Sequence, residues 1–155
     1  MIRKAEKSDI PAIMNLLFQV YTLHHEGRPD IFGGANTKYT EEELEKIIND
    51  KSASVFVFTD DGESVKAHAF CNIKEQHKSR ILNDIKTLYI DDICVDESAR
   101  GRHIGKALYD FVISYAREIG CYNVTLNVWE CNQSAKKFYE AMGMNVQRTE
   151  MEKIL

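Results

Sequence analysis

A chain of 155 residues with 44% apolar and 28% charged side chains can close one core and still dissolve, which sets aside disorder and points to a single domain over 1–155. Its formal net charge of -4 argues against nucleic acid as the main partner, and no apolar run approaches the ~20 residues that cross a bilayer. The opening MIRKAEKSDI has no apolar signal core, and Cys71, Cys94, Cys121 and Cys131 lack C-x-x-C spacing, so reduced packing thiols and a cytoplasmic location are expected.

Residues 2–5 read as a first strand. Ser8 or Asp9 is placed to cap the helix that follows, with Pro11 in its first turn. Ile13, Leu16, Leu17, Val20, Tyr21 and His24 share one face, and the helix is expected to fail between Gly27 and Pro29. Residues 28–39 read as a loop. Thr40 and Glu43 form a capping box ahead of a helix whose apolar face is Leu44, Ile47 and Ile48. Strands follow at 54–59 and 64–76, joined by an Asp60-Asp61-Gly62 turn. A polar connector, 76–83, leads to a strand over 85–95. The next helix runs from about His103 to Ile119 and stops at Gly120. A strand over 123–129 alternates through Val124, Leu126 and Val128. Asn132 caps a last helix carrying Ala135, Phe138, Tyr139 and Met142, and 144–148 and 150–155 read as one or two closing strands. Those closing strands offer a pairing edge to a second copy, a homodimer. The order β-α-α-β-β-β-α-β-α-β(-β) predicts an α/β (α+β) chain, a mixed sheet of six or seven strands with helices on both faces.

The stretch LYIDDICVDESARGRHIGKAL, 88–108, organises the rest. A strand feeds a short acidic connector, then a basic, glycine-bearing turn, then a helix. The first helical N–H groups lack partners and carry partial positive charge, so they suit an anion. Glycine admits close approach of the backbone, and arginine adds charge-assisted hydrogen bonds. The turn is read as a pyrophosphate cradle. It has neither a first-strand G-x-G-x-x-G nor a Walker lysine-serine pattern, which argues against a nucleotide-binding domain.

Arg100-Gly101-Arg102-His103-Ile104-Gly105, together with Asn132, Phe138 and Tyr139, resembles the GNAT N-acetyltransferases over nearly the whole chain. The resemblance implies a mostly antiparallel sheet whose fourth and fifth strands splay apart. It implies acetyl-CoA as co-substrate, no metal, and an amine of a small molecule or peptide as acceptor, attacked directly in a ternary complex. Carried over, Ile93, Cys94 and Val95 bind pantetheine through their backbone, and the Ile93 amide polarises the thioester carbonyl. Arg100, Gly101, Arg102, His103, Ile104, Gly105 and Lys106 hold the pyrophosphate, and Asn132 belongs to the same cofactor site. Tyr139 matches the proton donor to the leaving thiolate. Where the family usually has glycine, this chain has His103. A positive φ there would cost about 1–2 kcal/mol, whereas ordinary α geometry would cost nothing.

The acceptor amine must lose a proton. Strand alternation sends Asp91 and Asp92 to opposite faces, so one of them faces the acceptor. Asp91 stands where the diamine acetyltransferase branch has a glutamate base. His24, Glu26, Asp30 and Glu130 are candidate acceptor-binding residues. The adjacent His24 and His25 would point about 100° apart on a helix, unlike an i, i+4 ligand pair, so no metal is expected. The alternative to an enzyme is a non-catalytic sensor of the same fold that binds acyl-CoA.

Overall fold

The computed structural model describes residues 1–155 except 35, 61, 76 and 78. Asp61 of the expected turn, Ala35 of the expected loop, and Gln76 and Lys78 of the expected connector therefore lie outside the described residues. β2 (Ala53–Asp60) is apolar on both faces, and both are covered: Phe56 enters one core, Val55 and Val57 the other. Its neighbours are β1 (Ile2–Lys4) and β3 (Ser64–Glu75), both antiparallel to it. β4 (Lys86–Val95) adds antiparallel to β3, and β5 (Asn123–Leu126) adds parallel to β4, giving the order β1-β2-β3-β4-β5.

α1 (Ile10–Gly27) and α2 (Glu41–Asn49) cover one face of the sheet, where Ile13, Leu17 and Leu44 meet Val57 and Phe70. α3 (Ile104–Glu118) covers the other. Its Leu108 and Val112 pack on Leu88 and Ile90, with α4 (Gln133–Ala141) alongside through Phe138 and Tyr139. The capping box at α2 forms as expected, Thr40 accepting from the Glu43 amide. At α1 the expected cap does not form. Asp9 accepts from the Glu6 amide and from Arg3 instead, inside a 3₁₀ turn over Lys7–Asp9.

The sheet has five strands among the described residues, where six or seven were expected. β5 stops at Leu126 although its alternation continues to Trp129, and 144–155 form no strand. Both corrections have one cause. A strand exists where a neighbour completes its ladder, and β5 has β4 beside it only from Thr87 to Ile90. The tail has no such neighbour, so Val146, Met151 and Ile154 stand exposed. Among the described residues, no helix is long and apolar enough to cross a membrane.

Candidate active site

β4 is paired on both sides in its first half and on one side in its second. β5 accompanies it to Ile90, whereas Asp92 to Val95 pair, among the described residues, only with β3. That half-strand, Ile93, Cys94 and Val95 included, presents an open backbone edge of the kind an extended ligand can pair with.

The change of partner coincides with a bulge. Phe70 faces Asp92 and Cys71 faces Ile90, so Asp91 is an extra residue. Ile90 and Ile93 both turn toward the α3 core, which leaves Asp91 and Asp92 together on the α1–α2 face. The expectation that these two carboxylates diverge is thus corrected: the inserted residue moves the pleat on by one position. Asp91 Oδ2 accepts from Lys38 Nζ at 2.6 Å and from the Tyr39 hydroxyl at 2.9 Å. Asp92 Oδ2 lies 2.6 Å from Nε2 of His68, a fully buried residue of β3. Burial, then the hydrogen bond to Asp91, push the Tyr39 phenol up.

Tyr139 packs into the α3-side core beside Tyr109 and Phe138, within range of the Asp92 charge. Burial is the main cause that pushes its phenol up, with the charge of Asp92 next. It therefore keeps its proton at neutral pH. The Cys94 thiol, within 3.5 Å of the Leu16 carbonyl, is pushed up by burial to about 12, so it is no nucleophile.

The turn before α3 has the expected shape with one strained element. Gly101 has φ +78° and His103 has φ +58°, so histidine occupies the left-handed region and bears the cost of about 1–2 kcal/mol. This backbone path brings Ile104, Gly105 and Lys106 into the first helical turn, where their amides lack intrahelical acceptors. Gly105 faces Val95 and Phe138, with room for a methyl group at 3.5 Å. The cations around the turn hold the protein's own carboxylates: Arg102 binds Asp60 at 2.7 and 3.0 Å, and Lys106 binds Asp110 at 2.5 Å. Arg100 lies 3.8 Å from Glu97 and donates weakly to the Val95 carbonyl at 3.4 Å. Asn132 caps α4 by accepting from the Ala135 amide at 3.1 Å.

The expected acceptor residues divide. His24 is half-buried and stacks on Phe32 with ring centroids 5.1 Å apart. Burial lowers its pKa, the charge of Asp92 opposing and that of Lys38 assisting, so it is neutral at pH 7. Phe32 also meets Trp129 edge-on at 5.0 Å, which extends an aromatic wall from His24. Glu26 is exposed at the end of α1. Asp30 is taken up by Arg28, which also bonds Glu152 of the tail, and Glu130 by Lys136 and Gln133. None of these three joins the Asp91–Asp92 cluster through a contact among the described residues. Nor do any three His, Cys, Asp or Glu side chains there converge as a metal site. Sequence reasoning missed Lys38, Tyr39, Phe32 and His68. The last left a signal: one histidine in an otherwise apolar run, Ala67-His68-Ala69-Phe70, has to be buried with a partner.

A family model described as "Acetyltransferase (GNAT) family" matches residues 17–144. Glucosamine 6-phosphate N-acetyltransferase from Arabidopsis thaliana is 30% identical over 99 residues, covering 56% of this chain and 64% of that protein. A crystal structure of glucosamine-6-phosphate N-acetyltransferase from Arabidopsis thaliana superposes with a TM-score of 0.73 at 25% identity, covering 99% and 97% of the two chains. A mutant of the BH1408 protein from Bacillus halodurans superposes with a TM-score of 0.96 at 30% identity, covering 100% of this chain and 99% of that one. The chain spans 64%, 28% and 23% of three curated relatives, in each case less than two thirds of their length.

Proposed function

The chain belongs to the acetyltransferase (GNAT) family, and from that premise we propose that it moves the acetyl group of acetyl-CoA to a primary amine by direct attack in a ternary complex. The observation that carries this reading is the half-paired β4. Among the described residues, Asp92 to Val95 lack a second strand neighbour where the pantetheine arm would lie, and the turn before α3 is one residue cluster further along. In this scheme Ile93, Cys94 and Val95 pair with the arm through their backbone. The amides of Gly101 to Lys106 and the Arg100 and Arg102 guanidiniums take the phosphates, with Asn132 fixing α4 beside them. The arginines exchange their present carboxylate partners for phosphate oxygens.

The acceptor enters on the α1–α2 face. Two carboxylates on the β4 bulge draw an ammonium group there, and a carboxylate takes its proton, Asp91 being the one the family resemblance favours. His24 lines the pocket, while Glu26, Asp30 and Glu130 attract a cation from further out. The neutral amine adds to the thioester carbon. Tyr139 steadies the departing thiolate with a hydrogen bond. Its raised pKa makes full proton transfer uphill, so the hydrogen bond is its main contribution. The unreactive Cys94 thiol supports direct attack over an acetyl-cysteine intermediate.

The amine panel begins with amino-sugar phosphates, on the strength of the relatives' names, and extends to diamines and peptides. Release of the CoA thiol on one of these amines, lost in Tyr139→Phe, is the expected result. Tight acetyl-CoA binding with no transfer to any amine would instead make the chain a sensor. Two further parts of the reading are a homodimer, in which the exposed apolar side chains of 144–155 pair with a second copy, and a cytoplasmic site for a protein with four free cysteines. Light scattering of the full chain checks the first.

A further inference from the structure

We propose that Asp92, oriented by the buried imidazole of His68, is the group that takes the proton from the acceptor ammonium, and that Asp91 serves as the ammonium's anchor. The proposal rests on the acetyl-transfer reading above and decides between the two carboxylates of the bulge.

The two differ in what already binds them. Asp91 Oδ2 accepts from an ammonium and a phenol at once. A carboxylate oxygen already held by two donors has no lone pair left there to receive a proton, while the group's charge still attracts an ammonium. Asp92 has a single hydrogen-bond partner among the described residues. Its Oδ2 is engaged by His68, and Oδ1 carries both lone pairs unshared. The Asp92 side chain is 14% exposed, which is enough for approach from one side and too little for free solvation.

His68 explains why this carboxylate stays in place. It sits in mid-sheet, paired with Val57 on β2 and Cys94 on β4, and meets the Phe70 ring edge-on at 5.0 Å. Its Nδ1 is buried and has no hydrogen-bond partner among the described residues. That asymmetry fixes the tautomer. A proton on Nδ1 would be a buried donor with nothing to receive it, whereas on Nε2 it points at Asp92 Oδ2. The ring therefore donates one hydrogen bond to one carboxylate oxygen and leaves the other for the acceptor. His68 is a positioning residue, and Asp92 is the residue that meets substrate. The charged and titratable groups facing Asp92 are His24 from α1, Lys38 and Tyr39 ahead of α2, Asp91 and Cys94 along β4, and Tyr139 from α4.

The step balances without an oxidant or a second co-reactant. An ammonium N–H bond breaks and its proton goes to Asp92 Oδ1. The nitrogen lone pair forms the C–N bond at the thioester carbon, and the C–S bond breaks as the adduct collapses. The thiolate takes a second proton from the nitrogen, by way of Tyr139 or water, and Asp92 returns the first to solvent.

The test compares Asp92→Asn, Asp91→Asn, His68→Leu and His68→Gln in the full chain, with acetyl-CoA affinity by calorimetry as the check on folding. Asp92→Asn is expected to lose about 100-fold in kcat/KM at pH 7 while binding acetyl-CoA as before. The deficit narrows about tenfold per pH unit toward the amine's own pKa of ~10, because a neutral amine needs no base. Asp91→Asn raises KM for the amine more than it lowers kcat. His68→Leu lowers kcat, and His68→Gln, which keeps a donor, restores part of it. Long-range proton–nitrogen NMR shows His68 with its proton on Nε2, and the Asp92→Asn change moves that signal. If His68→Leu does not fold, the pH course of Asp92→Asn decides alone. A deficit that is flat with pH, or none, overturns the role of Asp92 while leaving acetyl transfer intact. A wild-type chain that binds acetyl-CoA but acetylates no amine overturns both.

Discussion

At the corner between β1 and α1, Asp9 accepts from both terminal nitrogens of Arg3, at 2.7 and 2.9 Å, and from the Glu6 amide at 2.8 Å. At the β4 bulge, Asp92 accepts among the described residues from His68 alone, at 2.6 Å, and the same imidazole has no partner among them at Nδ1. Both carboxylates sit on the α1–α2 side of the sheet, and both are largely shielded from water. The first has spent its hydrogen-bonding capacity on holding two elements together. The second keeps capacity in reserve beside a half-paired strand, and Tyr139, within range of its charge, has a hydroxyl with no hydrogen bond among the described residues. Unused polar capacity in a shielded place is costly, and its retention at one place beside its elimination at another is what the proposed roles of a working site and a joint predict.

The sharpest way to break this contrast is to remove a polar group from each region and read stability and activity separately. Tyr139→Phe removes a hydroxyl that makes no hydrogen bond among the described residues. It should lower kcat by about 100-fold, the usual scale for one transition-state donor, with acetyl-CoA affinity and urea midpoint unchanged. A variant that instead unfolds more readily would put Tyr139 among the structural residues. Asp9→Asn should do the reverse. With Arg3 partly exposed, the loss is about 2 kcal/mol of stability in urea titrations, at full kcat. A drop in kcat greater than threefold would remove the distinction between the two regions.

How far the sequence could carry such a contrast varies along the chain. The helical faces of α1, α2 and α3 were legible because burial at a 3.6-residue period leaves a repeating mark: Ile13, Leu17, Leu108 and Val112 are all buried. The glycine-bearing turn before α3 was legible as a motif, but the motif alone did not say that His103 takes positive φ. The bulge was not legible at all. Alternation assumes one residue per rung, and a single inserted residue at Asp91 reverses every later assignment of face without altering composition. The closing strands were over-read for a related reason. Val146 and Ile154 carry β propensity, yet propensity supplies no neighbour to pair with. His68 and Lys38 show the same limit from the other side, since their partners, Asp92 and Asp91, are 24 and 53 residues away.

Arg102 falls between the two regions: it is already bonded to Asp60 and is assigned to a phosphate once coenzyme arrives. Arg102→Ala should weaken acetyl-CoA about tenfold, a loss that shrinks as salt is raised, with the urea midpoint little changed because a surface ion pair adds little stability. Pantetheine binding, measured as the control, should not change. If pantetheine weakens equally, the arginine shapes the pocket and does not grip a phosphate.

The smallest effect is a pH dependence at the joint. The Arg3 guanidinium holds the Asp9 carboxyl below its ordinary range, with burial opposing. A depressed value in the folded chain means that the unfolded chain binds the proton more readily. The contribution of Asp9 to stability is therefore complete above the unfolded value of ~3.9 and is lost as pH falls through the folded one. The stability gap between the wild-type chain and Asp9→Asn should hold from neutral pH down to about 4 and close below it. Asp30, Asp50, Asp60 and Asp96 are also held low by their partners, but both chains contain them, so they cancel in the difference. A gap that persists undiminished to about pH 2 would mean that asparagine fails at this corner for its shape and not for its missing charge.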